Sequence, residues 1–181
     1  MASLLLVDAT DLPTVDRTTP PLDDGRVTVS LPEDWTWAPR SKDYLVRAQM
    51  SRDARYPNVT VYAEAAPEME DASSENAKKL AETFRATLDK ELAPRGLKLE
   101  EPVHAIQIGG FFGVEYVRLA KIGADSVERL FLVTVKNSRK YTLELRTLQG
   151  SLPRFRPFGR AIAASMEFNP DEQAVGAASA P

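Results

Sequence analysis

Residues 103–148 read VHAIQIGGFFGVEYVRLAKIGADSVERLFLVTVKNSRKYTLELRTL and decide the fold. The stretch contains four runs rich in β-branched and aromatic residues, at 103–108, 112–122, 127–135 and 141–148. Between them lie Gly109-Gly110, Gly123-Ala124-Asp125 and Asn137-Ser138, each of which suits a tight hairpin turn. This order predicts four consecutive antiparallel strands. Leu130–Val133 is apolar on both faces, so its strand is predicted to be central and covered on both sides.

Upstream, apolar residues alternate with polar ones at residues 27–31, 44–50 and 59–64. Prolines at 32, 39 and 57 bound these segments. Period-2 patterns of this kind predict three more strands.

Two helices are predicted, at about residues 74–93 and 153–165. In the first, apolar residues recur at helical spacing after Ser73 and Ser74, and Pro94 and Gly96 end the pattern. In the second, Phe155 to Met166 supply the apolar face, and Gly159 is a costly residue in the middle.

The predicted fold class is therefore α+β, with an antiparallel sheet of six to eight strands sandwiched by helices in α/β/α layers. The predicted division is a flexible N-terminal arm at 1–25, a single domain at 26–168 and a disordered tail at 169–181. The predicted core comprises Val29, Val46, Val61, Phe84, Leu88, Val117, Phe131, Val133, Leu143, Leu145 and Ile162.

Several short pieces resemble PsbP-like domains. Leu31-Pro32-Glu33-Asp34-Trp35 resembles the Pro-x-x-Trp motif after the first strand of that family, and residues 106–116 resemble its strand–Gly-Gly–strand unit. A helix after the third strand and a C-terminal helix ending near Met166 complete the same order.

The resemblance implies a fold rather than an activity. The family includes a photosystem II oxygen-evolving-complex subunit, a Ran-binding nuclear import factor, bacterial lipoproteins and periplasmic proteins, and adaptor-chaperones of type VI secretion effectors. It implies a non-catalytic binding surface on a sandwich.

Composition excludes several kinds of site. The 181 residues contain no cysteine and one histidine, which removes thiol nucleophiles, iron–sulfur clusters and multi-histidine metal sites. The net charge of −3 argues against nucleic-acid binding, and no apolar run is long enough to span a bilayer. No cofactor is predicted.

The remaining motifs favour structural roles. His104 has no nucleophile motif to serve, and Gly109–Gly113 precedes a strand, unlike a phosphate-binding loop. The acids Glu68, Glu70, Asp71 and Glu75 lack the spacing of a calcium loop. Trp35 is predicted to plug the end of the sandwich, whereas Trp37 is a candidate contact for a partner.

Charge is uneven along the chain. Residues 1–75 hold fourteen acids and seven bases, and the rest holds twelve acids and sixteen bases. If helix 153–165 folds back beside the hairpin at 137–138, the nearby bases form one positive patch that orients an acidic partner. The predicted partner-binding residues are Lys136, Arg139, Lys140, Arg154, Arg156, Arg160 and Trp37.

The predicted function is a non-catalytic binding domain of the bacterial cell envelope, acting on a protein partner as a monomer or homodimer. Two alternatives stay open: a cytoplasmic adaptor-chaperone that holds hydrophobic segments, and a carboxylate- or lysine-based hydrolase or lyase. Residues 1–7 are not expected to act as a signal peptide, although Val7-Asp8-Ala9 resembles the pattern before a cleavage site.

Overall fold

One large sheet forms the centre of the protein. The computed structural model describes residues 3–38 and 41–169. In chain order their elements are β1 (Leu4–Val7), β2 (Arg17–Thr18), β3 (Val27–Thr28), β4 (Ser30–Leu31), β5 (Thr36–Trp37), β6 (Val46–Gln49), β7 (Asn58–Ala65), α1 (Ala77–Leu92), β8 (Glu101–Ile108), β9 (Phe111–Ile122), β10 (Asp125–Lys136), β11 (Arg139–Leu148), α2 (Leu152–Ala164) and β12 (Glu167–Phe168).

Eight strands make up this sheet, in the order β1-β8-β9-β10-β11-β7-β6-β5. All neighbours are antiparallel except β1 and β8, which are parallel. Two small sheets pair β12 with β3 and β2 with β4. The predicted α+β class and strand number are confirmed, but residues 27–31 lie in the small sheets and not in the main one.

Two-residue turns set the register of the three central hairpins. Ile108 pairs with Phe111, Ile122 with Asp125, and Lys136 with Arg139. Asn137 and Ser138 have φ values of 51° and 58°. A turn with positive φ at both central residues matches the right-handed twist of the strands it joins.

The helices lie on opposite faces of the sheet. Helix α1 packs on β8 and β9, with Leu88, Val114 and Val133 in one apolar cluster. Helix α2 packs on β10 and β11, with Leu132 and Ile162 in the other. Each predicted core residue is buried except Phe84, which is half-buried.

Gly159 lets α2 approach the sheet closely. A Cβ at this position would lie 3.2 Å from Leu145 Cδ2 and 3.3 Å from Leu130 Cδ2. The glycine therefore costs helix propensity but allows close packing.

The observed helices agree with the predicted ranges to within a few residues. Asn76, and not Ser73 or Ser74, precedes the first residue of α1, and its Oδ1 accepts a hydrogen bond of 2.9 Å from the Ser73 amide. After α1 a 3₁₀ turn at Ala93–Arg95 leads to Gly96, whose φ of 64° is a typical helix-ending conformation.

The described part of the N-terminal segment, which the sequence predicts to be a flexible arm over residues 1–25, packs on the domain. Leu4–Val7 forms an edge strand of the main sheet. Thr19 and Leu22 are buried, and Arg17 Nη1 donates 2.8 Å hydrogen bonds to the carbonyl oxygens of Glu33 and Trp35. The predicted tail at 169–181 lies outside the described residues except for Asn169.

No helix in the described part of the chain is both long and apolar enough to cross a membrane.

Candidate functional site

Three arginines lie directly opposite one another on adjacent strands. Arg118 of β9 pairs with Arg129 of β10, and Arg129 pairs with Arg146 of β11. Asn58 on β7 and Gln49 on β6 continue the same line across the sheet. We call Arg118, Arg129 and Arg146 the arginine row.

The arginine row lies on the α1 side of the sheet, beside the helix rather than under it. Side chains alternate along a strand, so Arg129 shares a face with Phe131, which packs in the α1 cluster. Helix α1 packs on β8 and β9, and the face of β11, β7 and β6 beyond it carries polar side chains. Arg129 and Arg146 keep 25% and 26% of their side-chain surface exposed.

A buried carboxylate lies between two members of the row. Glu144 is 2% exposed. Its Oε1 accepts hydrogen bonds from Arg129 Nε at 2.5 Å and from Arg146 Nε at 2.6 Å. Its Oε2 accepts from Arg146 Nη2 at 3.0 Å and from the Tyr62 hydroxyl at 3.2 Å. Both guanidinium groups are thus held side by side over one carboxylate.

Aromatic rings and a fourth arginine border the row. Arg129 Cζ lies 5.1 Å from the centre of the Phe131 ring, which stacks on Tyr116 at 4.8 Å. Burial raises the pKa of Tyr116 to about 12. Arg47 lies 4.4 Å over the Tyr44 ring and donates to Thr60 Oγ1 at 3.1 Å.

This arrangement leaves an excess of positive charge. Like charges directly opposite on neighbouring strands are destabilising. Glu144 is the carboxylate within the row, and within the described residues Arg118 has neither a hydrogen-bond nor an ion-pair partner. Guanidinium groups recognise carboxylates and phosphates by paired N–H donors, so the face is suited to an anionic partner.

The pKa of Glu144 provides a test of this network. Burial alone would raise that pKa, but the hydrogen bonds from Arg146 and Arg129 outweigh burial and lower it. A lowered folded-state pKa gives stability that is present above the unfolded value of about 4.3 and is lost as pH falls through the folded value.

We therefore expect Glu144→Gln to lower the free energy of unfolding by about 2 kcal/mol at pH 7. This is less than the roughly 3–5 kcal/mol of a fully buried pair, because both arginines keep about a quarter of their side-chain surface exposed. The difference between wild type and variant should shrink as pH falls from about 6 to 3. Urea denaturation across this range measures it, and a difference independent of pH would contradict the assignment.

The bases predicted to form one positive patch occupy separate environments. Arg156 and Arg160 share a face of α2, as predicted, but they point at the sheet and bind the buried Glu115. Arg156 also pairs with Glu101. The side chains of Arg156 and Arg160 are only 20% and 17% exposed.

The bases near the hairpin tip also have partners, and they lie on different faces of the sheet. Arg139 binds Asp23 on the α2 side, whereas Lys140, the next residue along the strand, pairs with Glu64 on the α1 side. Lys136 Nζ donates to the Ala72 carbonyl at 2.8 Å. Arg154 Cζ lies 5.2 Å from the Phe155 ring centre. The structure thus divides the six bases and does not form the predicted patch, while their role in partner binding stays a prediction.

The two tryptophans both contact the α2-side core. Trp35 is 1% exposed and stacks on Phe158 at 6.0 Å, as predicted for a plug. Trp37 is half-buried against the same core, with Arg17 5.3 Å over its ring. Its contact with a partner stays a prediction.

His104 and the acids before α1 make local contacts. His104 Nδ1 lies 2.9 Å from the Oγ of Ser3, which directly precedes the edge strand β1. Asp71 Oδ1 accepts a 2.7 Å hydrogen bond from the Asn137 amide, and Glu70 pairs with Lys79 at 3.9 Å. Among the described residues no group of three or more His, Asp or Glu is placed to hold a metal ion.

Charge summed along the chain does not point to Arg118 and Arg129. The signal that finds them is register. Once the turns at Gly123-Ala124 and Asn137-Ser138 are taken as two-residue loops, Arg118, Arg129 and Arg146 must lie opposite one another.

Comparison with known proteins finds similarity in structure only. No family model and no curated protein matches the sequence. A crystal structure from Bacteroides thetaiotaomicron VPI-5482 matches with a TM-score of 0.56 and 11% identity, over 81% of this chain and 46% of that one. This chain therefore spans about half the length of that protein.

Two smaller proteins match over most of their length. The solution structure of cyanobacterial PsbP (CyanoP) from Synechocystis sp. PCC 6803 has a TM-score of 0.53 and 16% identity, over 81% of this chain and 89% of that one. LpqN of Mycobacterium tuberculosis, described as involved in cell envelope biogenesis, has a TM-score of 0.49 and 14% identity, over 80% and 83%. The order of strands and helices and the match to CyanoP agree with the resemblance found in the sequence, and the chain has a PsbP-like fold.

Proposed function

We propose that the protein is a non-catalytic binding domain that holds an acidic protein partner on the α1-side face of its sheet. The observation that carries this proposal is the arginine row, in which three arginines lie opposite one another on adjacent strands and two of them, Arg129 and Arg146, bind the buried Glu144. An arrangement that opposes like charges costs stability, and an anionic partner would offset that cost.

The character of the open face favours this reading over the adaptor-chaperone alternative. A chaperone for hydrophobic segments needs an apolar sheet face. Here the half-buried line of side chains beside α1 consists of the arginine row, Asn58 and Gln49. Charged and amide side chains of this kind bind acidic groups better than apolar ones.

A location in the bacterial cell envelope is part of the proposal. It is supported by the PsbP-like fold, since the family that the sequence resembles includes periplasmic proteins and lipoproteins. Fractionation of the producing cells tests it, and recovery in the cytoplasmic fraction alone would contradict it.

Reversal of the charge at Arg118 tests the binding face without disturbing Glu144. We expect Arg118→Glu to weaken binding of poly-L-glutamate by about tenfold, because it replaces an attractive charge with a repulsive one. Its thermal stability should be unchanged or slightly higher, because a Glu opposite Arg129 replaces a like-charge pair with an opposite-charge pair, which contributes roughly 0.2–1 kcal/mol. Titration calorimetry and thermal melting measure the two effects.

Lys121→Glu is the matched control. Lys121 is exposed on the same strand as Arg118, three residues away and on the other face of the sheet, so the change in net charge is identical. If both variants weaken binding equally, the probe senses only net charge and the assignment to this face is wrong. A photo-cross-linker at Gln49 then identifies the cellular partner, whose adduct should be lost in Arg118→Glu and kept in Lys121→Glu.

A further inference from the structure

We infer that the arginine row selects an α-helical segment of its partner, one that carries carboxylates at positions i, i+4 and i+7. The inference rests on the proposed function, since it specifies the shape of the acidic partner that this face binds. Two features of the row support it: two guanidinium groups are fixed in place, and the spacing of the strands fixes the distances between them.

Glu144 fixes the two guanidinium groups. Arg146 uses Nε and Nη2 on the carboxylate, and Arg129 uses Nε. Within the described part of the chain, Nη1 of Arg146 and both Nη atoms of Arg129 have no hydrogen-bond partner. These donors are therefore oriented and available, and they lose little side-chain entropy when they bind.

The spacing of the row matches a helix better than an extended chain. Adjacent strands lie about 4.8 Å apart, so the row spans roughly 10 Å. On a helix with a rise of 1.5 Å per residue, positions i, i+4 and i+7 advance by about 6 and 10.5 Å along one face. In an extended chain the same-face positions i, i+2 and i+4 advance by about 7 and 13.5 Å, which overshoots the third arginine.

Glu144 thus acts as a positioning residue, and this role makes a prediction opposite to that of simple charge attraction. Glu144→Gln makes the face more positive, so a diffuse patch would bind any acidic peptide more tightly after the change. If Glu144 orients the guanidinium groups, the variant should instead lose its preference for correctly spaced carboxylates.

The experiment uses two peptides of identical composition, both held helical by a side-chain staple. One carries glutamates at i, i+4 and i+7, and the other carries the three glutamates on different faces of the helix. We expect the wild-type protein to bind the first about tenfold more tightly than the second. In Glu144→Gln the ratio of the two dissociation constants should fall to about one, with binding of the scattered peptide unchanged or tighter.

The outcomes separate this inference from the proposed function. Equal binding of the two peptides by the wild type would overturn the inference, and this result does not depend on how well any variant folds. If Arg118→Glu still weakens the binding of both peptides while Lys121→Glu does not, the proposed binding face is supported even then. Tighter binding of the spaced peptide by Glu144→Gln would also overturn the positioning role. Binding of neither peptide would contradict both proposals.

Discussion

Substitution of Gly113 by alanine should destabilise the protein severely. A Cβ at this position would lie 2.2 Å from the carbonyl oxygen and 3.1 Å from the carbonyl carbon of Val133 on the neighbouring strand. The clash is with backbone in the centre of the sheet, so no side-chain rotation relieves it. We expect a loss of about 3 kcal/mol or more, at the upper end of the range for overpacking. Since each kcal/mol corresponds to about 2–4 °C in a domain of this size, Tm should fall by roughly 6–12 °C.

Gly110→Ala is the control for that prediction. Gly110 lies in the turn before the same strand, with no atom within 4 Å of its would-be Cβ and a backbone outside the left-handed region. Its substitution should change the free energy of unfolding by less than about 0.5 kcal/mol. Denaturant unfolding of both variants compares them, and a stable Gly113→Ala protein would show that the two strands can separate locally at low cost.

The two glycines show where reasoning from the sequence succeeds and where it stops. The cluster from Gly109 to Gly113 predicts a hairpin, and Gly109-Gly110 does form the turn. Gly113 serves a different purpose, because it lies inside β9 where only a residue without a side chain fits against Val133. Propensity marks a glycine as unusual in a strand, but only the position of the neighbouring strand gives the reason.

Local patterns also predicted the long strands, both helices and the core, because each depends on neighbours within a few residues. The edge strand Leu4–Val7 could not be predicted in the same way. It pairs with β8, whose residues lie about a hundred positions further along the chain, and its four residues are too few to show a period.

The arginine row could not be predicted from local sequence patterns for a related reason. Summing charge along 136–160 treats Arg139 and Lys140 as neighbours, although alternation places them on opposite faces of the sheet. The arginine row draws one residue from each of three strands, so it becomes visible only when the turns are converted into register.

The network under α2 gives the second large expected effect. Glu115 is 2% exposed and accepts two hydrogen bonds from Arg160, at 2.8 Å from Nε and 2.7 Å from Nη2. Arg156 Nη1 adds a third at 3.2 Å. Glu115→Gln leaves Arg160 without its counter-charge, while Arg156 keeps its ion pair with Glu101. Loss of one partner of a buried pair costs about 3–5 kcal/mol. Because both arginines keep some exposure, we expect the lower end of that range, measured as a loss of unfolding free energy in urea.

Two further variants show whether that loss comes from the network or from general damage to the core. Glu101→Gln removes an acid that is 40% exposed and binds only Arg156 among the described residues, so it should cost less than about 1 kcal/mol. Arg160→Met should cost less in the Glu115→Gln background than in the wild type, because the unpaired charge is then removed. If the losses of unfolding free energy for Glu115→Gln and Arg160→Met simply add in the double variant, the two side chains are not coupled. The apolar face of α2 alone would then hold the helix to the sheet.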